Sequence, residues 1–391
     1  MFNFEYYTPT RVVFGKGAAD KVGQLVKAQN CKKVLIHYGG GSVKRSGLLD
    51  RIKASLSAEG VQYVELGGVV PNPHISLVYK GIELCRQEGV DFILAVGGGS
   101  VIDSAKAIGY GLATPGDVWD LYEHVKTATG CMPIGTVLTI AAAGSEMSNS
   151  SVITKEEGGV KRAYDDDLSR PRFAVMDPEL TMTLPDYQTA CGCTDILMHT
   201  MERYFTSGGN MEITDSIAEG LMRTVMKNAV ILRDEPKNYD ARAEVMWAGS
   251  LSHNGLTGCG TLGDWATHQL EHELGGMFDV AHGAGLAAMW GSWARYVYRE
   301  DPARFARFAR NVMGLCDVGS QEQTALAGIE AFEGFLRDIR MPVNLPQLGL
   351  EVTDAQIDEL AYKCTFMGKR TIGSFKVLGE EDIKAIYRMA R

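Results

Sequence analysis

The sequence predicts an α/β domain built on a doubly wound parallel sheet, followed by an all-helical domain. Three observations carry this. The first ~180 residues alternate short, almost continuously apolar runs with helical periodicity, the pattern of βα units whose sheet is covered on both faces. After Asp177-Pro178 only helical periodicity continues. The string Gly-Gly-Gly-Ser-Val occurs twice in the first part, at 39–43 and 97–101, each time between a strand pattern and a helix pattern. The expected domains are residues 1–180 and 181–391.

The elements follow in order. Strands are expected at 11–14, 33–38, 61–66, 91–96 and 133–140, with helices at 18–28, 48–58, 75–86 and 101–112 between them. The run Phe92-Ile93-Leu94-Ala95-Val96 has no polar face, so it belongs inside a sheet. Pro185 suits the first turn of a helix reaching about residue 206, because that turn has no N–H partner to lose. Further helices are expected at 213–232, 241–251, 302–315, 321–339, 354–363 and 381–390. Pro302 and Thr353-Asp354 mark two of the starts.

Composition narrows the function classes. The chain has 391 residues with 39 Lys and Arg against 48 Asp and Glu, a net charge of −9. No basic run exceeds two residues, which argues against a nucleic-acid partner. No stretch reaches the ~18 apolar residues of a membrane span, and the N-terminus lacks a basic and then apolar leader, so a cytoplasmic protein is expected. Eight scattered cysteines in a chain of this size read as reduced thiols. Cys191-Gly192-Cys193 has no second pair with which to make a metal site. Glycine is in excess, 45 of 391 residues or about 12% against an average near 7%, so its location is informative.

The glycine strings point to a dinucleotide. Glycine lets main chain approach a ligand closely, and a following helix offers free N–H groups and a positive dipole end to phosphate. Gly97, Gly98, Gly99 and Ser100, with a helix from Val101, would hold a pyrophosphate; Asp103 and Lys106 lie in that first stretch of helix. Gly39, Gly40, Gly41 and Ser42 would lie nearer the adenosine ribose. The strand there ends in Tyr38 with no acid to bind a 2′-hydroxyl, and Lys44 and Arg45 follow, which favours NADP(H) over NAD(H). The stretch 133–149 runs from a strand into small and hydroxylated residues, with Thr136, Thr139 and Ser148 as candidate cofactor contacts.

Histidine is concentrated in the helical part, with five of eight beyond residue 180. Asp195 and His199 stand four apart on one helix face, and so do His268 and His272. His282 lies in a Gly-rich loop or helix start. Glu271 is in the fourth place of His268-Gln-Leu-Glu-His272, so the zincin arrangement is absent. The flanking residues are apolar enough to bury these groups, and buried imidazoles and carboxylates need partners. One divalent cation held by Asp195, His199, His268 and either His272 or His282 supplies them; such a donor set suits Fe(II) or Zn(II).

These residues together resemble the iron-containing alcohol dehydrogenase family. The carrying segments are 8–15, Gly97 to Asp103 with Lys106, Gly144-Ser145-Glu146, Asp177-Pro178, Leu184-Pro185, Asp195-x-x-x-His199, His268-x-x-x-His272 and Ala281-His282-Gly283. Tyr38 to Lys44 is similar to the butanol dehydrogenase and broad-specificity aldehyde reductase branch. The resemblance implies a dehydroquinate synthase-like fold and a homodimer. It implies metal ligands Asp195, His199, His268 and His282, with His272 beside nicotinamide and substrate rather than on the metal. It adds Asp103, Thr139 and Lys161 to the cofactor contacts; Asp103 also stands with His272 among the catalytic candidates. Ala141-Ala142-Ala143 and Ser148 depart from residues common in the family. The expected reaction is hydride transfer between NAD(P)(H) and a small alcohol or aldehyde. The alternatives are an NAD- and metal-dependent lyase resembling dehydroquinate synthase and a non-catalytic nucleotide sensor. The Trp-, Leu-, Met- and Phe-rich flanks of His268 and His282 favour the apolar alcohol or aldehyde.

Overall fold

The computed structural model describes residues 1–391. The chain divides into two compact units, Tyr7–Thr183 and Leu184–Arg391, the latter joined by the N-terminal Met1–Tyr6.

The first unit contains the strands β1 (Arg11–Phe14), β2 (Lys33–Gly39), β3 (Gln62–Val69), β4 (Phe92–Gly97), β5 (Ile134–Leu138), β6 (Ser150–Lys155), β7 (Val160–Asp165) and β8 (Phe173–Met176). Its helices are α1 (Val22–Lys27), α2 (Ser42–Arg45), α3 (Leu48–Ala58), α4 (Ile75–Glu88), α5 (Gly99–Ala113) and α6 (Trp119–Tyr122). Six strands form one parallel sheet in the order β1-β8-β5-β4-β2-β3. β4 and β5 are buried along their whole length, β4 as an uninterrupted apolar run and β5 with the Thr136 hydroxyl on the Phe173 carbonyl.

The winding of this sheet positions its candidate site. From β2 the chain steps outward to β3, crosses back past β2 to β4, and then continues the other way through β5 to β8. The reversal falls between β2 and β4, which lie side by side with Tyr38 opposite Val96. Open parallel sheets form their ligand crevice at the carboxyl ends of strands where the winding reverses. The two glycine strings stand at those two strand ends.

Several elements differ from the sequence expectation. The antiparallel hairpin of β6 and β7 was not foreseen, because its strands mix hydroxyls and charges with single apolar residues. β8, the four residues Phe173–Met176, was also not foreseen. The helix expected at 18–28 is a 3₁₀ turn (Ala18–Lys21) followed by α1. The helix expected from Val101 starts at Gly99, so Gly99 and Ser100 already lie in its first turn.

One buried histidine ties β2 to its neighbours. His37 is fully buried, with Nδ1 2.9 Å from the carbonyl oxygen of Leu66 and Nε2 2.9 Å from Ser104 Oγ. A carbonyl only accepts, so Nδ1 donates and Nε2 accepts from the serine hydroxyl. Burial lowers the imidazole from 6.5 to about 4, against the Leu66 bond, which raises it. The unfolded chain therefore takes up a proton as pH falls through 6.5 while the folded chain does not, and stability is lost between there and about 4. Wild type is expected to lose about 2 kcal/mol more than His37→Gln between pH 7 and pH 5, read from urea midpoints. Equal losses in both proteins would remove His37 as the cause.

The second unit is helical: α7 (Asp186–Tyr204), α8 (Glu212–Asp234), α9 (Tyr239–His253), α10 (Ala266–Phe278), α11 (His282–Val297), α12 (Pro302–Asn311), α13 (Gln321–Asp338), α14 (Asp354–Cys364) and α15 (Glu380–Ala390). Pro185 is the residue just before α7 rather than inside its first turn. Thr353 and Gln356 form a reciprocal capping box at the start of α14. α11 is the central helix, with Trp290 and Trp293 fully buried. At its first turn α11 meets α7 almost backbone to backbone. A Cβ on Gly283 would lie 2.2 Å from the carbonyl oxygen of Cys191, so only glycine permits this approach. No helix is long and apolar enough to cross a membrane.

Candidate metal centre and dinucleotide site

Three helices of the second unit bring the acid and the imidazoles together. Asp195 and His199 stand one turn apart on α7, His268 and His272 one turn apart on α10, and His282 is the first residue of α11. One donor atom each from Asp195, His268 and His282 lies within 4.8 Å of the other two, which is the reach of a single cation. Asp195 Oδ1 is 3.8 Å from His268 Nε2 and 3.6 Å from His282 Nε2. The Gly283 approach is what sets His282 against the α7 side of this group.

His199 is beside this trio rather than within it. Its Nδ1 lies 3.0 Å from the carbonyl oxygen of Asp195, so that nitrogen donates and Nε2 carries the free lone pair. Its ring centroid is 4.4 Å from that of His268 and 4.1 Å from that of buried His253. His272 stands further out, with its ring centroid 6.5 Å from His268 and 5.9 Å from His282. In this arrangement His282, not His272, is the third imidazole of interest with Asp195.

The site tests well as a cation holder. Asp195 Oδ1 and His268 Nε2 are both buried without a hydrogen-bond partner. Oδ1 does come within 2.9 Å of His199 Nδ1, but outside hydrogen-bonding geometry. Buried polar atoms left this way are costly, and a cation between them removes the cost. Burial pushes the Asp195 carboxyl up, but the imidazoles of His199, His282 and His268 outweigh this and hold it well below the usual carboxylate range. Burial lowers His199 to about 4 against the pull of Asp195. At His268 burial also lowers, but the carboxylates of Asp195 and Glu202 prevail and raise the imidazole to about 9. A proton therefore competes with a cation for its Nε2.

Two carboxylates that sequence reasoning passed over touch this group. Glu202 Oε1 accepts from His268 Nδ1 at 2.8 Å and from the His268 main-chain N–H at 2.9 Å. Glu271 Oε2 accepts from His282 Nδ1. The signal was spacing: Glu202 is seven residues after Asp195 on the same face of α7, and Glu271 is one turn after His268. The start of α10 is fixed from the same side. Trp265, with φ of 65°, precedes the helix, and Asp264 Oδ2 accepts from Ala266 N. Burial, helped by the Glu202 charge, raises Asp264 to about 7.

In the first unit the two glycine strings have different structures. Gly97 ends β4, Gly98 turns, and Gly99 and Ser100 open the fifteen-residue α5. Gly39 ends β2, Gly41 turns with φ of 131°, and Ser42 opens α2, which has only four residues. The dipole and free N–H argument thus applies to the second string and not to the first. Lys44 of α2 lies 5.1 Å over the Tyr38 ring, whose hydroxyl donates to Glu65 of β3 at 3.3 Å.

The remaining candidates divide between site and scaffold. Asp103 accepts from Ser145 Oγ at 2.6 Å and from Val152 N at 3.1 Å, tying α5 to the 145–152 segment. Lys106 is fully buried, and its Nζ donates among five oxygens of Ser145, Ser148 and Ser150 at 2.7–3.2 Å. The Ser148 hydroxyl is one of those five and is 1% exposed. Thr136 is buried inside β5 with its hydroxyl on the Phe173 carbonyl at 3.4 Å. Thr139 donates its main-chain N–H to the Gly97 carbonyl, which sets the exit of β5 beside the second string. Lys161 is buried in β7.

Comparison with known proteins places the whole chain in one family. Residues 9–178 match the profile of the family described as "Iron-containing alcohol dehydrogenase", and residues 189–391 match "Fe-containing alcohol dehydrogenase family, C-terminal". The chain is 38% identical over 389 residues to NADH-dependent butanol dehydrogenase A of Clostridium acetobutylicum, with 99% of both covered. It is 37% identical over 398 residues to NADPH-dependent aldehyde reductase YqhD of Escherichia coli, with 100% of both covered. It superposes on the crystal structure of NADH-dependent butanol dehydrogenase A from Thermotoga maritima with a TM-score of 0.96. That pair is 39% identical, with 100% of this chain and 99% of that one covered.

Proposed function

The chain belongs to the iron-containing alcohol dehydrogenase family, and on that premise we propose that Asp195, His199, His268 and His282 hold one divalent cation, Fe2+ first and Zn2+ second. The protein is an alcohol dehydrogenase/aldehyde reductase that depends on a metal and a nicotinamide cofactor. When bound, the cation supplies Lewis acidity to a substrate oxygen and the nicotinamide supplies or accepts the hydride. Asp195 brings the one negative charge of the proposed ligand set, and the imidazoles bring bare Nε2 lone pairs. His272, beside them but outside the ligand set, moves the proton between the substrate oxygen and solvent. The substrate is a small, mostly apolar primary alcohol or its aldehyde, such as butanol and butyraldehyde. The observation that supports this reading is the pair of orphaned buried atoms, Asp195 Oδ1 and His268 Nε2, facing His282.

In the first unit Gly39, Gly40, Gly41, Ser42, Gly97, Gly98, Gly99 and Ser100 line the cofactor, together with Thr139 and Lys161. Asp103, Thr136 and Ser148 act through the scaffold they hold, not by direct contact. NADP(H) is the preferred nucleotide, since Lys44 and Arg45 follow the first string and no acid ends β2. Lys44→Ala with Arg45→Ala is expected to raise the KM for NADPH about tenfold and leave that for NADH nearly unchanged, the loss being one 2′-phosphate charge contact. Equal effects on both nucleotides would remove Lys44 and Arg45 as the basis of the preference. The protein is proposed to work as a cytoplasmic homodimer; its eight cysteines are all free thiols, and Phe2, Phe4, Tyr6 and Tyr7 stand exposed on the N-terminal segment.

The test is elemental analysis of anaerobically purified protein, with butyraldehyde reduction by NADPH and by NADH measured on the same sample. About one divalent cation per chain and turnover lost on chelation are expected. Metal-stripped protein with undiminished turnover would end this reading.

A further inference from the structure

The two buried glutamates that touch the site form an ordered pattern across its helices. α7 carries Asp195 and also Glu202, whose Oε1 takes both the Nδ1–H and the main-chain N–H of His268 on α10. α10 carries His268 and also Glu271, whose Oε2 takes the Nδ1–H of His282 on α11. α7 and α10 thus each supply candidate ligands and the carboxylate that fixes the imidazole of the next helix, and α11 supplies His282. Glu202 is 3% exposed and Glu271 is fully buried, so neither sits there as a solvated surface charge.

The chemistry of these contacts is specific. An ionised carboxylate only accepts, so Nδ1 must carry the proton in both rings. That leaves Nε2 as the nitrogen open to either a proton or a cation, and in both rings Nε2 is the nitrogen nearest Asp195 Oδ1. The ring cannot rotate by a half turn without breaking the Nδ1 bond. Burying two carboxylates next to a third is unfavourable unless a positive charge balances them. A divalent cation beside Asp195 would offset two of the three negative charges of Asp195, Glu202 and Glu271.

We propose that Glu202 and Glu271 are positioning residues of the metal centre: they fix the tautomer and direction of His268 and His282 and set how tightly a divalent cation is retained. This rests on the ligand set proposed above. The carboxylates act in series, from α7 to α10 to α11, so loss of Glu202 releases His268 alone while the Glu271–His282 pair stays formed.

The experiment measures cation binding directly. Wild type, Glu202→Leu, Glu202→Gln, Glu271→Leu and Glu271→Gln are stripped of metal, and their folding is checked by circular dichroism and thermal melting. Each is titrated with Co2+ alone against a chelating indicator, and the visible absorption of the Co2+ form is recorded. Each Leu variant is expected to bind Co2+ about 10–100-fold more weakly than wild type. The Co2+ spectrum should change in the same variants, since one imidazole is no longer held. Glutamine still accepts from Nδ1–H through Oε1, so the Gln variants should keep the wild-type spectrum and recover part of the affinity. A purely structural role predicts lowered melting temperatures with unchanged affinity and spectrum, and that result overturns the proposal. If a Leu variant does not fold, the Gln variant decides: affinity equal to wild type overturns the proposal, and weakened affinity with an unchanged spectrum supports it. Wild type that takes up no Co2+ overturns the ligand set itself, and is distinguishable from wild type that binds while all variants bind equally well.

Discussion

Alanine at His282 is expected to yield a folded protein that retains no divalent cation and reduces butyraldehyde at least ~1,000-fold more slowly than wild type. The magnitude corresponds to about 4 kcal/mol, within the several kcal/mol that Lewis-acid stabilisation contributes to developing charge on oxygen. His282 is 26% exposed at its side chain, so its truncation opens little cavity, and the melting temperature of the stripped protein should move little. His272→Ala provides the contrast. His272 lies on the same helix face as His268 but is outside the trio whose donor atoms converge. Its loss should leave metal content unchanged while slowing turnover by about 10²–10⁴-fold, the usual worth of a positioned acid–base group. Elemental analysis and steady-state rates on both variants decide the matter. Metal lost from His272→Ala and kept in His282→Ala would exchange their roles.

Valine at Gly40 should weaken dinucleotide binding at least ~10-fold while the apo protein melts as wild type does, because main chain that must approach a phosphate or ribose closely has no room for a side chain. Gly40 is informative because the fold makes no demand on it. A Cβ there meets no atom within 4 Å, and its backbone is not in the left-handed region. Gly41 next to it has φ of 131°, so any substitution there would confuse strain with contact. Metal content should be unaffected, since Gly40 belongs to the other compact unit. Unchanged KM values for both NADPH and NADH in Gly40→Val would remove the first glycine string from the cofactor site.

The sequence carried the fold class through patterns that are local. Phe92 to Val96 can only be an interior strand, and the change to continuous helix after Asp177-Pro178 needs no tertiary information. Sheet order was not readable, because nothing within β3 or β4 says that the chain crosses back past β2. The hairpin of β6 and β7 escaped for a related reason: Tyr164 and Ile153 are buried by other elements, not by a face of their own strands. The candidate metal centre was legible as far as helical spacing reaches. Asp195 with His199 and His268 with His272 follow from i, i+4 neighbours. The choice between His272 and His282 depends on how closely α11 approaches α7, and that approach turns on the missing Cβ of Gly283. Glu202 and Glu271 sat at readable spacings, yet only the packing of three helices aims them at imidazoles. Thr136 and Ser148 show the opposite limit. Their hydroxyls suggested cofactor donors, but Thr136 donates to the Phe173 carbonyl and Ser148, accepting from Lys106, is buried.

The ammonium of Lys106 has a consequence for how the cofactor is met. Three N–H bonds shared among five oxygens tie Ser145, Ser148 and Ser150 to α5 through protein atoms alone. The lysine does for this segment what a coordinated ion does for a calcium-binding loop. The entropy lost in ordering the segment is spent when the chain folds, not when the nucleotide arrives. At the proposed dinucleotide site the nucleotide then meets a segment already ordered by folding. Differences in affinity between NADPH and NADH should accordingly show in how fast each leaves rather than in how fast each arrives.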